Sequence, residues 1–302
     1  MNILIAGGTG FVGKALTSYF TRNGHHTYIL TRNTQKREND PYIHHVQWLT
    51  DDAPPHEQLP SIDVVVNLAG ESINSGRWNE TRKRTIVESR LQATYAIYDL
   101  ITKMNKKPSV LIQASAIGIY GTSLNETFTE RCETIGTDFL AQTVKRWEEA
   151  GRRIESIGVR TVFMRFGIIL GKGGGALPRI ILPYKLFIGG TIGSGKQWLS
   201  WVHMDDVIGT IDFVIRHETI SGPVNVTAPS PVTMEQFGKT IANILHRPHW
   251  LPVPSFALKM LLGEMSMLVL EGQRVIPKKL LQAGYDFSFP TVDQALANIL
   301  QS

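Results

Sequence analysis

The sequence holds a single cysteine, Cys132. That excludes an internal disulfide and sets a reducing, cytoplasmic compartment as the expectation. No supporting motif surrounds Cys132, so it reads as a passive thiol rather than a nucleophile. No apolar run is long enough to span a bilayer. No leader segment is expected, because Met1 leads directly into an apolar strand. Lys and Arg are scattered, with no basic run interleaved with aromatics, so neither nucleic acid nor a membrane is an expected partner. No spacing of His, Cys, Asp or Glu suggests a metal site, and no G-x-S-x-G or Ser/His/Asp order suggests a hydrolase. There is no internal repeat.

What is present describes a globular protein. The 302 residues are 42% hydrophobic and 19% charged, enough to bury a sizeable core in one large or two smaller domains. A net charge of +5 suits anionic small molecules.

The first fourteen residues, MNILIAGGTGFVGK, organise the chain. Asn2 to Ala6 reads as a buried parallel strand. Gly7, Gly10 and Gly13 follow at a spacing of three. Val12, Ala15, Leu16, Tyr19 and Phe20 then recur at helical spacing, and Asn23-Gly24 closes that helix. A strand, a glycine turn and a helix in register point to a dinucleotide site. Gly7 permits the tight turn, Gly10 lets backbone approach a pyrophosphate, and Gly13 allows close packing. The positive end of the helix then faces the phosphates.

A second strand, Thr27 to Thr31, ends at Arg32, 19 residues after Gly13. An acid there would hold the ribose hydroxyls, whereas a guanidinium grips a 2′-phosphate. Arg32 therefore argues for NADP(H) over NAD. Val46 to Leu49 reads as a third strand, and the Pro-rich stretch 53–60 as a surface loop. Asp63 to Gly70 is an apolar strand ending in the small residues Leu68-Ala-Gly70, which leave room for a ligand. An amphipathic segment runs from Arg77 to Met104, basic at its start. Val110 to Ala114 is a strand leading into Ser115 and Tyr120-Gly121. A helix covers roughly Phe139 to Ile154, and Val159 to Phe166 is another strand. This alternation is the pattern of a parallel sheet with helices on both faces.

After Gly171 the texture changes. Asp205 or Asp206 is expected to cap a helix reaching Ile215. Thr233 with Gln236 forms a capping box for a helix to His246. From Pro248 the chain is helical and Met-rich, and the methionines read as core filler.

Taken together, Gly7-Gly-Thr-Gly-Phe-Val-Gly13, Asn67-Leu-Ala-Gly70, Ser115 with Tyr120-Gly121, and His203 with Asp206 resemble the extended short-chain dehydrogenase/reductases. A narrower resemblance covers nearly the whole chain. It is to an atypical epimerase/dehydratase-like subgroup with a C-terminal domain of unknown function. Its motifs here include Glu71, Arg77-Trp78, Ser89-Arg90, Asp138-Phe-Leu-Ala141, Trp147-Glu148, Arg165 to Gly171, Gly195-Lys-Gln-Trp198, Ser200-Trp-Val-His203 and Pro277-Lys-Lys-Leu280.

The resemblance implies a doubly wound α/β Rossmann-type domain, 1–166 plus 201–227, and a smaller substrate-side domain, 167–200 plus 228–302. It implies cofactor contacts at Gly7, Thr9, Gly10, Phe11, Val12, Gly13, Arg32, Leu68, Ala69, Gly70 and Arg90. Arg77, Trp78, Gln197, Trp198 and His203 are expected to converge with Glu71 beside the nicotinamide. The superfamily's acid/base is a Tyr four residues before a Lys. Lys145 fits the Lys position, but the Tyr position is then Ala141, and the usual Ser or Thr position is Ala116. An alanine cannot move a proton. Ser115, Tyr120 and Glu71 are the candidate stand-ins. The expected function is an NADP(H)-dependent oxidoreductase or epimerase-like enzyme on a small anionic substrate. The alternative is a non-catalytic NADPH sensor, and a homodimer stays open as the assembly.

Overall fold

Seven strands form one parallel sheet: β1 Asn2–Ala6, β2 His26–Thr31, β3 Ile43–Gln47, β4 Val64–Asn67, β5 Val110–Ala116, β6 Arg160–Phe166 and β7 Gly222–Val226. Their spatial order is β7-β6-β5-β4-β1-β2-β3, and every neighbouring pair is parallel. The computed structural model describes residues 1–33, 40–50 and 54–301. The chain winds from β1 out to β3, then crosses to β4 on the other side of β1. A crevice for ligands opens at the carboxyl ends where the order reverses.

The longer helices are α1 Phe11–Arg22, α2 Glu80–Lys103, α3 Phe139–Glu155, α4 Leu177–Lys185, α5 Met204–Arg216, α6 Met234–Leu245, α7 Ser255–Leu262 and α8 Val292–Gln301. Alternating side chains of each central strand serve opposite layers. Ile3 and Ile5 pack with Leu16 and Phe20 of α1 and Val207 and Ile211 of α5. Leu4 and Ala6 pack with Ala93, Ile97 and Ile101 of α2. Burial on both faces is why these strands read as unbroken apolar runs. A third apolar cluster, with Leu199, Trp201, Phe237 and Leu296 among its members, joins α4, α6 and α8.

Several boundaries move for local reasons. β3 lies at Ile43–Gln47 rather than 46–49. Leu49 takes a left-handed φ of 57°, which ends extended backbone. α2 starts at Glu80 rather than Arg77, because the Asn79 side chain accepts the Arg82 amide. Pro55–Gln58 forms one helical turn inside the expected loop, and Ala53 lies outside the described residues. The capping box at Thr233 and Gln236 is present. The cap of α5 is His203, whose Nδ1 accepts from the Asp205 amide at 3.1 Å. Neither aspartate serves there. Asp206 is fully buried and instead accepts from the amides of Ser288 and Phe289 at 2.8 and 3.0 Å, tying the C-terminal segment to α5. The core-filler reading fails for Met260, which is 75% exposed. Among the described residues no helix is long and apolar enough to cross a membrane.

Candidate nucleotide and substrate site

The glycine turn is built by close contacts that only hydrogen permits. Gly7 sits at φ 81°, and a Cβ there would lie 2.8 Å from the Leu68 carbonyl. A Cβ on Gly13 would lie 2.2 Å from the Gly7 oxygen, so Gly13 packs on the turn itself. Gly8, not singled out from the sequence, approaches the Ile29 side chain as closely. Gly10 differs: its Cβ would meet only the Gly7 oxygen, at 3.2 Å. Gly10 also caps α1 without any side chain, so the turn leaves open approach for a phosphate at the helix start. Thr9 and Gly10 are exposed. The Phe11 ring packs against Gly171, Gly174 and Gly175, and Val12 packs on the core. A cavity of about 660 Å³ is lined by Thr9, Gly10, Phe11, Lys172, His203 and Asn298, among others.

Arg32 stands exposed just past the end of β2. At the end of β4 the buried Asn67 donates to Gln113 Oε1 at 3.0 Å and accepts the Ala69 amide at 3.2 Å. This holds the turn Leu68-Ala69-Gly70 in place. Gly70 faces the Arg90 side chain. Arg90 donates to the carbonyls of Glu71 and Ile86 at 3.0 and 2.9 Å and lies over the Trp147 ring. Burial pushes its pKa down to about 10. Arg90 thus braces the loop after β4 from behind.

The two hydroxyl candidates are locked in a buried network. Ser115 Oγ donates to Glu148 Oε1 at 2.6 Å. Glu148 also takes two bonds from Arg165, both at 2.8 Å. Arg165 donates to the Tyr120 oxygen at 2.9 Å, and Tyr120 donates to Asn225 at 2.7 Å. Burial pushes Tyr120 up to about 12, so its proton stays on near neutral pH. The α3 face packed against this network carries Val144 and Glu148. Lys145, half-exposed beside Glu149, lines a second cavity of about 340 Å³ together with Tyr120, Glu148 and Arg165 of this network. Glu71 has the exposure that Ser115 and Tyr120 lack: its side chain is 41% exposed, and its carboxylate pairs with Arg82 at 3.3 Å.

The six side chains expected to converge are not gathered around the 660 Å³ cavity. His203 lines it, its ring tilted against Phe289 with centroids 3.9 Å apart. Glu71 is paired with Arg82, and the other four have spent their polar atoms on backbone. Arg77 binds the carbonyls of Met260 and Leu261 at the end of α7, at 2.7 and 2.9 Å. Trp78 donates to the Ile73 carbonyl at 2.9 Å and is buried against Phe139. Gln197 is buried and donates to the carbonyls of Ile192 and Val269. Trp198 donates to the Leu124 carbonyl, with Arg274 over its ring. Glu148, Arg165 and Asn225 had no assigned role in the sequence reading. A charged residue inside the buried strand 160–166, with Trp147-Glu148 among the family-like motifs, was the available signal.

Residues 3–227 match the model of the NAD dependent epimerase/dehydratase family. The chain belongs to that family. Residues 253–299 match a domain of unknown function, DUF1731. The epimerase family protein YfhF of Bacillus subtilis is 53% identical over 99% of this chain and 98% of its own. The epimerase family protein SA0724 of Staphylococcus aureus is 43% identical over the same shares. Among solved structures, the human epimerase family protein SDR39U1, isoform 2, with NADPH, superimposes with a TM-score of 0.88. It is 34% identical over 100% of this chain and 99% of its own. A nucleoside-diphosphate sugar epimerase from Corynebacterium glutamicum gives 0.79 at 31% identity, over 99% of this chain and 58% of its own. The glycine turn and the Asn67 turn follow the neighbouring strands β1 and β4, the register pairing Ala6 with Asn67.

Proposed function

We propose that the protein is an NADP(H)-dependent oxidoreductase of the epimerase/dehydratase family, acting on a small anionic substrate. One observation carries the cofactor: the open Gly10 at the start of α1, with Arg32 exposed past β2. Residues 7–13 would take the pyrophosphate, the Leu68-Ala69-Gly70 turn would flank the cofactor, and Arg32 would take a 2′-phosphate. The human relative solved with NADPH supports the same reading. When bound, the cofactor exchanges a hydride with the substrate. The chain's part is to orient that substrate and supply a proton. Glu71 is the proton group proposed, because Ser115 and Tyr120 are committed to Glu148, Arg165 and Asn225. The net charge of +5 supports an anionic substrate. Residues 1–166 plus 201–227 are proposed as the nucleotide-binding domain, and 167–200 plus 228–302 as the substrate side.

Calorimetric titration tests the cofactor. A hydrogen bond to a charged group contributes about 1.5–3 kcal/mol. Arg32→Ala should therefore weaken NADPH roughly ten- to a hundredfold and leave NADH nearly unchanged. Equal affinity of the wild type for both cofactors refutes the assignment. The locked Ser115 and Tyr120 support a second reading, a non-catalytic NADPH sensor. Tight NADPH binding without turnover on any carbonyl substrate would favour it.

A further inference from the structure

One surface of the C-terminal half shows largely exposed apolar side chains. Leu186, Phe187 and Trp250 are 59%, 54% and 63% exposed. They belong to one rigid knob. Trp250 Nε1 donates to the Phe187 carbonyl at 2.9 Å, and the Trp250 and Leu251 amides both bond the Gly189 carbonyl. The Arg247 guanidinium lies 4.3 Å from the Phe187 ring centre. Phe187 holds a left-handed φ of 63°, a conformation that costs a bulky residue strain and is ordinarily left to glycine. Further along, α7 has no buried residue, and its Phe256, Met260 and Leu261 are at least 68% exposed.

The stretches of chain that supply these residues carry charge of one sign. No Asp or Glu occurs between Glu155 and Asp205, or between Glu235 and Glu264. Those two stretches supply the knob and α7, and they carry Lys185, Arg247 and Lys259 among the apolar residues. The first acid after α7, Glu264, is paired with Lys83. Exposed Trp, Phe and Leu on stretches that carry Lys and Arg, with the nearby Glu235 paired with Lys239, and Glu80 and Glu264 paired with Lys83, match the chemistry of an anionic lipid surface. A second copy of this chain would bring the same cations against them, which is unfavourable.

We propose that the protein docks peripherally on anionic membranes through the knob of Leu186, Phe187 and Trp250, flanked by Lys185 and Arg247. Such docking needs no spanning helix. It leaves the nucleotide crevice unaltered, so it stands or falls apart from the cofactor assignment.

Sedimentation of the full-length protein with vesicles tests this, using phosphatidylglycerol/phosphatidylcholine mixtures against phosphatidylcholine alone. The expected result is binding to the anionic vesicles that weakens with salt. Lys185→Ala and Arg247→Ala should each weaken it about fivefold, and Trp250→Ala roughly tenfold or more. Phe187→Gly is the decisive variant: glycine suits the left-handed backbone, so the melting temperature should hold or rise while vesicle binding falls. Failure to sediment with anionic vesicles at low salt would overturn the proposal. So would equal binding to both vesicle types. A dimer in ultracentrifugation that Phe187→Gly and Trp250→Ala disperse would assign the knob to a second copy and overturn it as well.

Discussion

Ser115 and Arg165 meet on one carboxylate. Glu148 Oε1 accepts from Ser115 Oγ at 2.6 Å and from Arg165 Nε at 2.8 Å, with all three side chains buried. Removing one partner of a buried pair leaves the other charge without compensation. Glu148→Ala should therefore cost about 3–5 kcal/mol, read as a lower denaturant midpoint. Ser115→Ala removes one bond to a charged group and should cost about 1.5–3 kcal/mol, because Arg165 still holds Glu148. If Ser115→Ala proves as damaging as Glu148→Ala, the ion pair is not what organises this corner.

The second expectation concerns pH. His203 is buried and caps α5 through Nδ1. Burial holds its pKa below the ordinary 6.5, against the opposing pull of Asp205 and Asp206. The folded state therefore prefers the neutral ring. This contribution is complete above the unfolded pKa and is lost as pH falls through it towards the folded value. Asparagine is also a good helix cap. His203→Asn should thus keep α5 and lose part of the acid-side fall in stability. Denaturation of both proteins from about pH 7.5 down to 5 measures this. Parallel stability curves would show that His203 does not titrate with unfolding.

The glycine turn allows binding to be separated from folding. A Cβ on Gly13 meets the Gly7 oxygen at 2.2 Å, but one on Gly10 meets the same oxygen at 3.2 Å, a tight contact that a shift of a few tenths of an ångström relieves. Gly13→Ala should destabilise by about 1–3 kcal/mol or more, as overpacking does. Gly10→Ala should leave the melting temperature within a few degrees and weaken NADPH by roughly tenfold or more, because the methyl occupies the phosphate's approach. NADPH affinity unaffected by Gly10→Ala would place the pyrophosphate elsewhere.

The parts legible in the sequence were those whose signal is local. The run Asn2–Ala6, the glycines after it and the capping box at Thr233 are each read within a few residues. The closures between distant residues were not legible. Arg77 reaches the end of α7, 183 and 184 positions on. Asp206 holds amides 82 and 83 positions away. Both carried a correct type signal, a guanidinium and an acid near a helix start, but polar side chains serve backbone and ligand equally well. His203 took the α5 cap that either aspartate could have filled, because its short turn into Met204 aims Nδ1 at the Asp205 amide. Exposure was the least legible property. The methionine and leucine of α7 look like core material until the fold leaves that helix on the surface.

The chemistry is the last and sharpest expectation. The β5 end and α3 present Ser115, Tyr120, Val144 and Glu148, and Lys145 shares the cavity of about 340 Å³ with Tyr120, whose hydroxyl is already bonded to Arg165 and Asn225. Reversible epimerisation needs a group that both removes and returns a proton at the substrate. A hydroxyl held by Arg165 and Asn225, with its pKa near 12, is poorly matched to that work near neutral pH. Reduction asks for less: a hydride from the cofactor and one proton from a nearby acid. Glu71 is half-buried beside Arg82, with its carboxylate within reach of solvent. Incubation of the NADPH-loaded protein with carbonyl compounds and nucleotide sugars, followed by absorbance of the reduced nicotinamide, decides between the cases. Turnover should fall roughly a hundredfold or more in Glu71→Gln, as loss of a general acid does, with NADPH affinity unchanged. Tyr120→Phe should lower stability more than turnover per folded molecule. Turnover abolished in Tyr120→Phe at unchanged stability, with Glu71→Gln active, would return the proton to the tyrosine and reject Glu71.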